Sequence, residues 1–409
     1  MRRLLLPSAL LVLALACDKP GNVTKDTLAA QQGSAADAET SNDGARNGIG
    51  NDYVRLHFVR IMDNSGFGQP VEAARFLVPV GWRTEGGITW TQNIGCLYML
   101  VNAQFRFVAP DGIASLEVFP TYAWNWYDDP YQRQVAGQTP MGGSRPCDLA
   151  QPTGAADFLR GKLVPAFRRG AQIVSTEAQP QVAAASQRSL QAYMQQAAAY
   201  GLQMQLRADA ARVKLHYTVN GQAVEEWITA TVQSNRTMGP SATAAMQGGM
   251  GQSASFVMVT TAQIGTRAPA GRLEAMGPLF ATMIASYRPN IAWTNAVSQV
   301  MGNMNNTASQ GAMDRSRIWT EANRDISATI RQGYDYQQQS QDRIAESWSQ
   351  TTRGVETFVD PSTHERVELS SGYSQVFSNG QGEYILSNTP NFEPGREVQG
   401  NWREMQRPR

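Results

Sequence analysis

Few residues in this 409-residue chain have the type and spacing that catalysis requires. The histidines, His57, His216 and His364, are far apart in sequence, and none has a neighbour at the spacing of a metal ligand. The sequence contains no P-loop, nucleophile-elbow or EF-hand pattern. The carboxylates of Asp128-Asp129 and Glu225-Glu226 are adjacent, so on a strand they point to opposite faces and form no acid/base pair. We therefore expect no catalytic residue, no metal and no cofactor, and predict a protein that is not an enzyme.

The most suggestive cluster is aromatic. The segment TYAWNWYDDPYQR, residues 121–133, crowds five rings around two aspartates. The rings belong to Tyr122, Trp124, Trp126, Tyr127 and Tyr131. Aromatic platforms beside carboxylates bind sugars, peptides or cations, so these five residues are the candidate ligand-binding site. Alternatively, the rings close the hydrophobic core beneath a loop that leads to Cys147.

The amino terminus indicates where the protein resides. Arg2 and Arg3 precede an apolar run over residues 4–15, which is shorter than the roughly 20 residues that a bilayer-spanning helix needs. Ala14, Leu15 and Ala16 then precede Cys17. This arrangement resembles the lipobox of bacterial lipoproteins. The resemblance implies a signal peptide over residues 1–16, modification of Cys17 with diacylglycerol, cleavage before that cysteine, and acylation of the new amino terminus, with palmitate as an expected acyl chain. The alternative is an ordinary cleaved signal with a chance cysteine.

A polar segment follows the candidate lipid site. Residues 17–52 are rich in Gly, Ala, Ser, Asn and Asp and hold almost no large apolar side chain. Such a segment cannot bury enough surface to offset its ordering entropy, so we predict a disordered tether that spans roughly 30 Å. Two or more acyl chains give stable membrane attachment. The expected location is the bacterial cell envelope, with the protein facing the periplasm or exterior; the choice of membrane stays open.

The other two cysteines, Cys96 and Cys147, form an even pair in an exported chain. Because export favours oxidation, we predict a disulfide between them. The alternative is two buried free thiols.

Strand and helix signals alternate over residues 53–290, which we assign to one domain. Hairpins are predicted at Asp111-Gly112, within residues 104–120, and at Asn220-Gly221, within residues 215–232. Helices are predicted over residues 153–170, 181–201 and 271–289, from apolar residues at 3–4 spacing or from Ala, Gln and Leu content. These elements predict an α+β fold, with a mostly antiparallel sheet covered by helices.

The pattern FLVPVGW, residues 76–82, and the hairpin from Phe105 to Pro120 resemble the Mog1/PsbP/DcrB-like family. This resemblance implies an α/β/α sandwich. It implies no activity, because the family has no shared catalytic residues.

The remaining segments differ in composition. Residues 234–254 are small and Gly- and Met-containing, which predicts a long mobile loop and a second element of any binding site. Residues 291–353 carry a thin apolar stripe and are predicted to form a helical extension of one or two helices. Residues 354–395 are predicted to form a small β module, with a flexible tail over residues 396–409.

The formal net charge of +1 gives no reason to expect nucleic acid as a partner. The expected partners are the membrane, through the lipid anchor, and another envelope protein. The function favoured by the sequence is a lipid-anchored, non-enzymatic scaffold or interaction module. The alternative is a glycan- or ligand-binding lipoprotein that uses the aromatic cluster.

Overall fold

The computed structural model describes residues 53–91, 95–138, 146–198, 205–307 and 355–408. Within these residues the protein is mainly β-structure, arranged as a nine-stranded sheet, a six-stranded sheet and a separate hairpin. The strands are β1 (Tyr53–Asp63), β2 (Val71–Pro79), β3 (Arg83–Trp90), β4 (Val101–Val108), β5 (Ser115–Val118), β6 (Ala123–Tyr127), β7 (Asp148–Leu149), β8 (Gln172–Ala178), β9 (Gln205–Val219), β10 (Gln222–Pro240), β11 (Gln252–Pro269), β12 (Arg288–Pro289), β13 (Val355–Val359), β14 (Arg366–Ser370), β15 (Gln375–Ser378), β16 (Glu383–Ser387) and β17 (Arg403–Glu404).

The helices are mostly short. They are α1 (Pro130–Ala136), α2 (Ala155–Phe158), α3 (Val164–Phe167), α4 (Pro180–Ala198), α5 (Ala242–Met246), α6 (Gly277–Ala285), α7 (Ile291–Thr307) and α8 (Pro394–Glu397). A π-helical turn, Leu159–Leu163, joins α2 to α3. Pro165 has no N–H to donate and its ring crowds the preceding turn, which explains why the helix predicted over residues 153–170 is divided there.

The larger sheet has the order β3-β4-β5-β11-β10-β9-β8, with β6 paired to β11 and β7 paired to β6. Both predicted hairpins are present: β4 pairs with β5, and β9 pairs with β10. Asn220 and Gly221 both adopt positive φ, the conformation that a tight two-residue hairpin turn requires.

The smaller sheet joins strands from distant parts of the chain, in the order β12-β2-β1-β16-β15-β17. β1 pairs with β2 on one side and with β16 on the other. The region from residue 354 therefore contributes both a separate hairpin, β13–β14, and strands of the main body. The predicted tail instead adds β17 and buries Met405.

The expected α/β/α sandwich is wrong, because the two sheets pack mainly on each other. Phe76 and Val78 of the smaller sheet share one apolar core with Phe105 and Phe107 of the larger sheet. α6 and α7 add to this interior, and α2 and α3 cover part of the opposite face of the larger sheet. The predicted helix over residues 271–289 is reduced to α6. The predicted loop over residues 234–254 instead contains the end of β10, α5 and the start of β11.

The predicted helical extension is described only over α7. Trp293, Val297 and Val300 on this helix are buried, so its apolar stripe packs against the protein interior. The predicted signal peptide, Cys17 and the predicted tether lie outside the described residues, as do residues 308–354.

Candidate functional site

The aromatic cluster is divided by the fold. Trp124, on β6, is buried and stacks on Phe158, with 5.8 Å between ring centroids. Tyr122 meets the same Phe158 edge-on at 5.5 Å, and Lys162 Nζ lies 5.2 Å from the centroid of the Tyr122 ring. These two rings therefore belong to the core beside α2.

The remaining rings lie closer to the surface. The guanidinium of Arg133 lies 4.8 Å from the ring centroid of Trp126, whose Nε1 donates to Asp128 Oδ1 at 3.2 Å. Tyr127 is half-buried at the end of β6, and Tyr131 is exposed on α1. Because Trp124 is buried whereas Tyr131 faces solvent, the five rings do not form one continuous platform.

Asp129 joins the aromatic segment to the tip of the β10–β11 hairpin. Its Oδ1 accepts hydrogen bonds from the backbone N–H groups of Tyr131 and Gln132, which cap α1. Its Oδ2 accepts from Ser241 Oγ at 2.6 Å and from the N–H of Thr243 at 3.0 Å. The hydrogen bond from Ser241 lowers the pKa of Asp129, and those from Thr243 add to the effect. One ionised carboxylate thus ties two short helices together.

The tip itself is ordered, in contrast to the predicted mobile loop. β10 and β11 stay paired as far as Pro240 and Gln252, and α5 fills the turn between them. Ser241 Oγ accepts from the N–H of Ala244 and so caps α5. A Cβ atom on Gly251 would lie 2.9 Å from the Cβ of Ala244. Glycine at position 251 therefore lets the backbone before β11 lie close to α5.

Exposed apolar side chains concentrate on these same elements. Within the described residues, the large apolar side chains with the highest exposure are Tyr131, Val135, Leu149, Val174, Met238, Met246 and Met250. Five of them lie on α1 and the hairpin tip, and we call this set the α1–tip surface: Tyr131, Val135, Met238, Met246 and Met250. Residues 237–266 contain no charged side chain. The exposed methionines of the tip therefore have no charged residue within their own segment.

Sequence reasoning identified both segments of this surface but missed Val135 and the role of Asp129 in capping α1 and binding the tip. An available signal was Asp129-Pro130, because aspartate at the N-cap followed by proline in the first turn is typical of a helix start.

The structure does not bring the histidines together. His57 is on β1, and burial lowers its pKa. His216 faces solvent, and its Nε2 lies 3.2 Å from Glu225 Oε1 on the neighbouring strand. His364 occupies a turn with φ of 61°.

A buried ionic network, which the sequence did not reveal, crosses the outer face of the larger sheet. Arg168 donates from Nε to Glu226 Oε2 at 2.6 Å and from Nη2 to Glu117 Oε2 at 2.5 Å. The Tyr217 hydroxyl donates to Glu226 Oε2 at 2.6 Å. The ionic side chains are buried and paired with one another, so the arrangement stabilises the contact between α3 and the sheet rather than offering an accessible acid or base.

The predicted disulfide is present between Cys96 and Cys147. Cys96 is buried in the core that also contains Trp293 and Val297 of α7. The bridge therefore fixes the start of β4 to the segment before β7 beneath this helix.

No helix in the described part of the chain combines the length and apolarity needed to cross a membrane. The described residues also contain no cluster of three or more histidine, cysteine or acidic side chains suited to a metal ion. No protein-family model matches the chain, and no curated protein matches it either.

Proposed function

We propose that this protein is a lipid-anchored component of a bacterial envelope that docks a protein partner through the α1–tip surface. The observation that carries the proposal is the concentration of exposed apolar side chains on elements that Asp129 holds together. Exposed apolar groups grouped on one part of a surface are typical of interaction sites.

The anchor is proposed from the sequence. A short apolar run ending at Cys17 supports acylation of that cysteine, and residues 18–52 give the chain length of a tether. The Cys96–Cys147 disulfide supports an oxidising compartment, since such bridges persist in exported proteins.

The chemistry of the α1–tip surface favours a protein over a glycan. Glycan recognition needs flat, accessible rings, whereas Trp124 is buried and Trp126 is covered by Arg133. Met246 and Met250 are flexible and polarisable, and methionine is frequent on surfaces that adapt to protein partners. We expect the partner to offer an apolar groove, and the affinity to depend weakly on salt because residues 237–266 are uncharged.

The docking test uses site-specific photo-crosslinking in intact cells. A photoreactive benzophenone side chain at position 250 is expected to crosslink one discrete partner, whereas the same group at exposed position 174, on β8, is not. The double variant Met246→Glu and Met250→Glu should reduce partner binding at least tenfold, because two carboxylates would be desolvated at the interface. Val174→Glu is the matched control. Equal crosslinking from both positions, or unchanged binding by the double variant, would refute the docking proposal.

A lipid surface is the alternative occupant and is tested separately. Protein-free vesicles containing anionic and zwitterionic lipids are mixed with protein whose acyl chains are already inserted in nanodiscs. Bridging of vesicles that depends on Met246 and Met250 would overturn the proposal of a protein partner.

The anchor is tested by metabolic labelling with palmitate. The wild-type protein should incorporate label and Cys17→Ser should not. Label that persists in Cys17→Ser would refute acylation at this position, whatever the outcome of the docking test.

A further inference from the structure

An apolar cavity lies between the two sheets, away from the α1–tip surface. Its walls come from β1 and β2 on one side and from β3, β4, β5 and β11 on the other, with contributions from α6 and α7. Its volume is about 80 Å³. Several wall residues are alanines, namely Ala73, Ala74, Ala103 and Ala262. These short side chains leave the space that larger ones would fill.

A bulge in β11 shapes one wall. Register is lost between Thr229 and Thr231 on β10, opposite Ala262 and Gln263, and Ala262 adopts a φ of 54°. A non-glycine residue at positive φ is uncommon and persists only where the surroundings impose it. The bulge separates the part of β11 that pairs with β6 from the part that pairs with β5.

The wall also carries polar groups with unused hydrogen-bonding capacity. Tyr287 lines the cavity with 7% of its surface exposed, and its hydroxyl forms no hydrogen bond within the described residues. Gln263, another wall residue, donates from Nε2 to Pro120 O and Thr260 Oγ1, but its Oε1 accepts no bond within this part of the chain. A fully buried polar atom without a partner, such as Gln263 Oε1, is rare in native proteins and calls for an explanation.

We propose that this cavity binds a small, mainly hydrocarbon molecule that carries one carbonyl or hydroxyl oxygen. The wall contacts the hydrocarbon part, and the Tyr287 hydroxyl donates to the oxygen. An apolar cavity of about 150 Å³ binds benzene or xenon, so this smaller space suits a molecule no larger than benzene. This binding is independent of the docking proposed above.

The test compares cyclopentanone with cyclopentane, two probes of similar shape that differ in one acceptor oxygen. The full mature protein is held in nanodiscs, and thermal unfolding is followed by tryptophan fluorescence. At a concentration about five times Kd, either probe should raise the Tm by about 2–4 °C. Ala103→Leu should fill part of the cavity and abolish the shift. Ala74→Val serves the same purpose if Ala103→Leu does not fold.

Tyr287→Phe tests the polar contact. This variant should fold, because it removes a hydroxyl that has no described partner. We expect it to reduce the preference for cyclopentanone over cyclopentane about fivefold, the value of one hydrogen bond. An unchanged preference would refute the role of Tyr287. Absence of any shift in the wild type, or the wild-type shift in a folded cavity-filling variant, would overturn the site.

Discussion

Asp129 Oδ2 accepts a 2.6 Å hydrogen bond from Ser241 Oγ, across 112 positions of the chain. The same carboxylate caps α1 through the N–H groups of Tyr131 and Gln132. The two halves of the α1–tip surface thus depend on one side chain, which is buried and ionised.

The first prediction concerns Asp129→Asn. Asparagine remains a good cap for α1. Its amide nitrogen, however, accepts no hydrogen bond and so cannot replace the oxygen that accepts from Ser241 and Thr243. We expect faster hydrogen exchange at Thr243 and Ala244, a lower Tm, and weaker partner binding. Asp157→Asn, at an exposed carboxylate, is the control. Unchanged exchange at the tip would show that Asp129 does not hold it.

The same residue has a pH signature. Its folded pKa lies below the ordinary value of 3.8, so its contribution to stability is present above pH 3.8 and is lost as the pH falls through the folded value. As the pH is lowered below 3.8, the free energy of unfolding should therefore decrease less in Asp129→Asn than in wild type.

The second prediction concerns the buried ionic network. Arg168→Met removes the cation that pairs with Glu117 and Glu226 and leaves both carboxylates buried. The free energy of unfolding should fall by about 3–5 kcal/mol in denaturant titrations. Arg160→Met, at a surface pair with Asp157, should cost about 0–1 kcal/mol. Similar losses in the two variants would contradict this account.

The third prediction concerns alkaline pH. Burial, followed by the charge of Glu226, raises the pKa of Tyr217 to about 12 from the ordinary 10.0. Because the folded pKa is the higher one, the contribution of Tyr217 is complete below pH 10 and is lost as the pH rises towards 12. Denaturant titrations should show a loss of about 2–3 kcal/mol across this range. In Tyr217→Phe the free energy of unfolding should fall less steeply between pH 10 and pH 12. An identical fall in both proteins would argue against the contribution of Tyr217.

The fourth prediction concerns the disulfide. Cys96 and Cys147 are 51 positions apart, and closing a loop of that length stabilises the folded state by about 4 kcal/mol in the chain-entropy model. Reductant should lower the stability of the wild type and of Cys17→Ser by this amount. The double variant Cys96→Ser and Cys147→Ser should start lower and not respond. A response to reductant in the double variant would exclude this bridge as the cause.

Local features of the fold could be predicted from the sequence because short segments specify them. Asn220-Gly221 favours its tight turn whatever surrounds it, and the helix over residues 181–201 corresponds to α4. The disulfide was predicted from an even cysteine pair in a chain with a predicted export signal.

Long-range pairing could not be predicted in this way. Nothing in the sequence of β1 identifies β16 as its neighbour, since any strand with a similar apolar alternation would fit. Without that pairing, the apolar helix patterns suggested a sheet covered by helices. The α1–tip surface was found in part, because its rings and glycines are visible in the sequence. The link through Asp129 depends on contacts that only the folded chain creates.

The pairing of β1 with β16 has a consequence for biogenesis. Tyr53 faces Ser387, so, on the proposed export route, one edge of the first strand stays open until nearly the whole polypeptide has been translocated. An open edge is a template for wrong pairing with other chains. Export should therefore require a holding chaperone that shields this edge, and nascent chains arrested before residue 383 should aggregate when the chaperone is withdrawn.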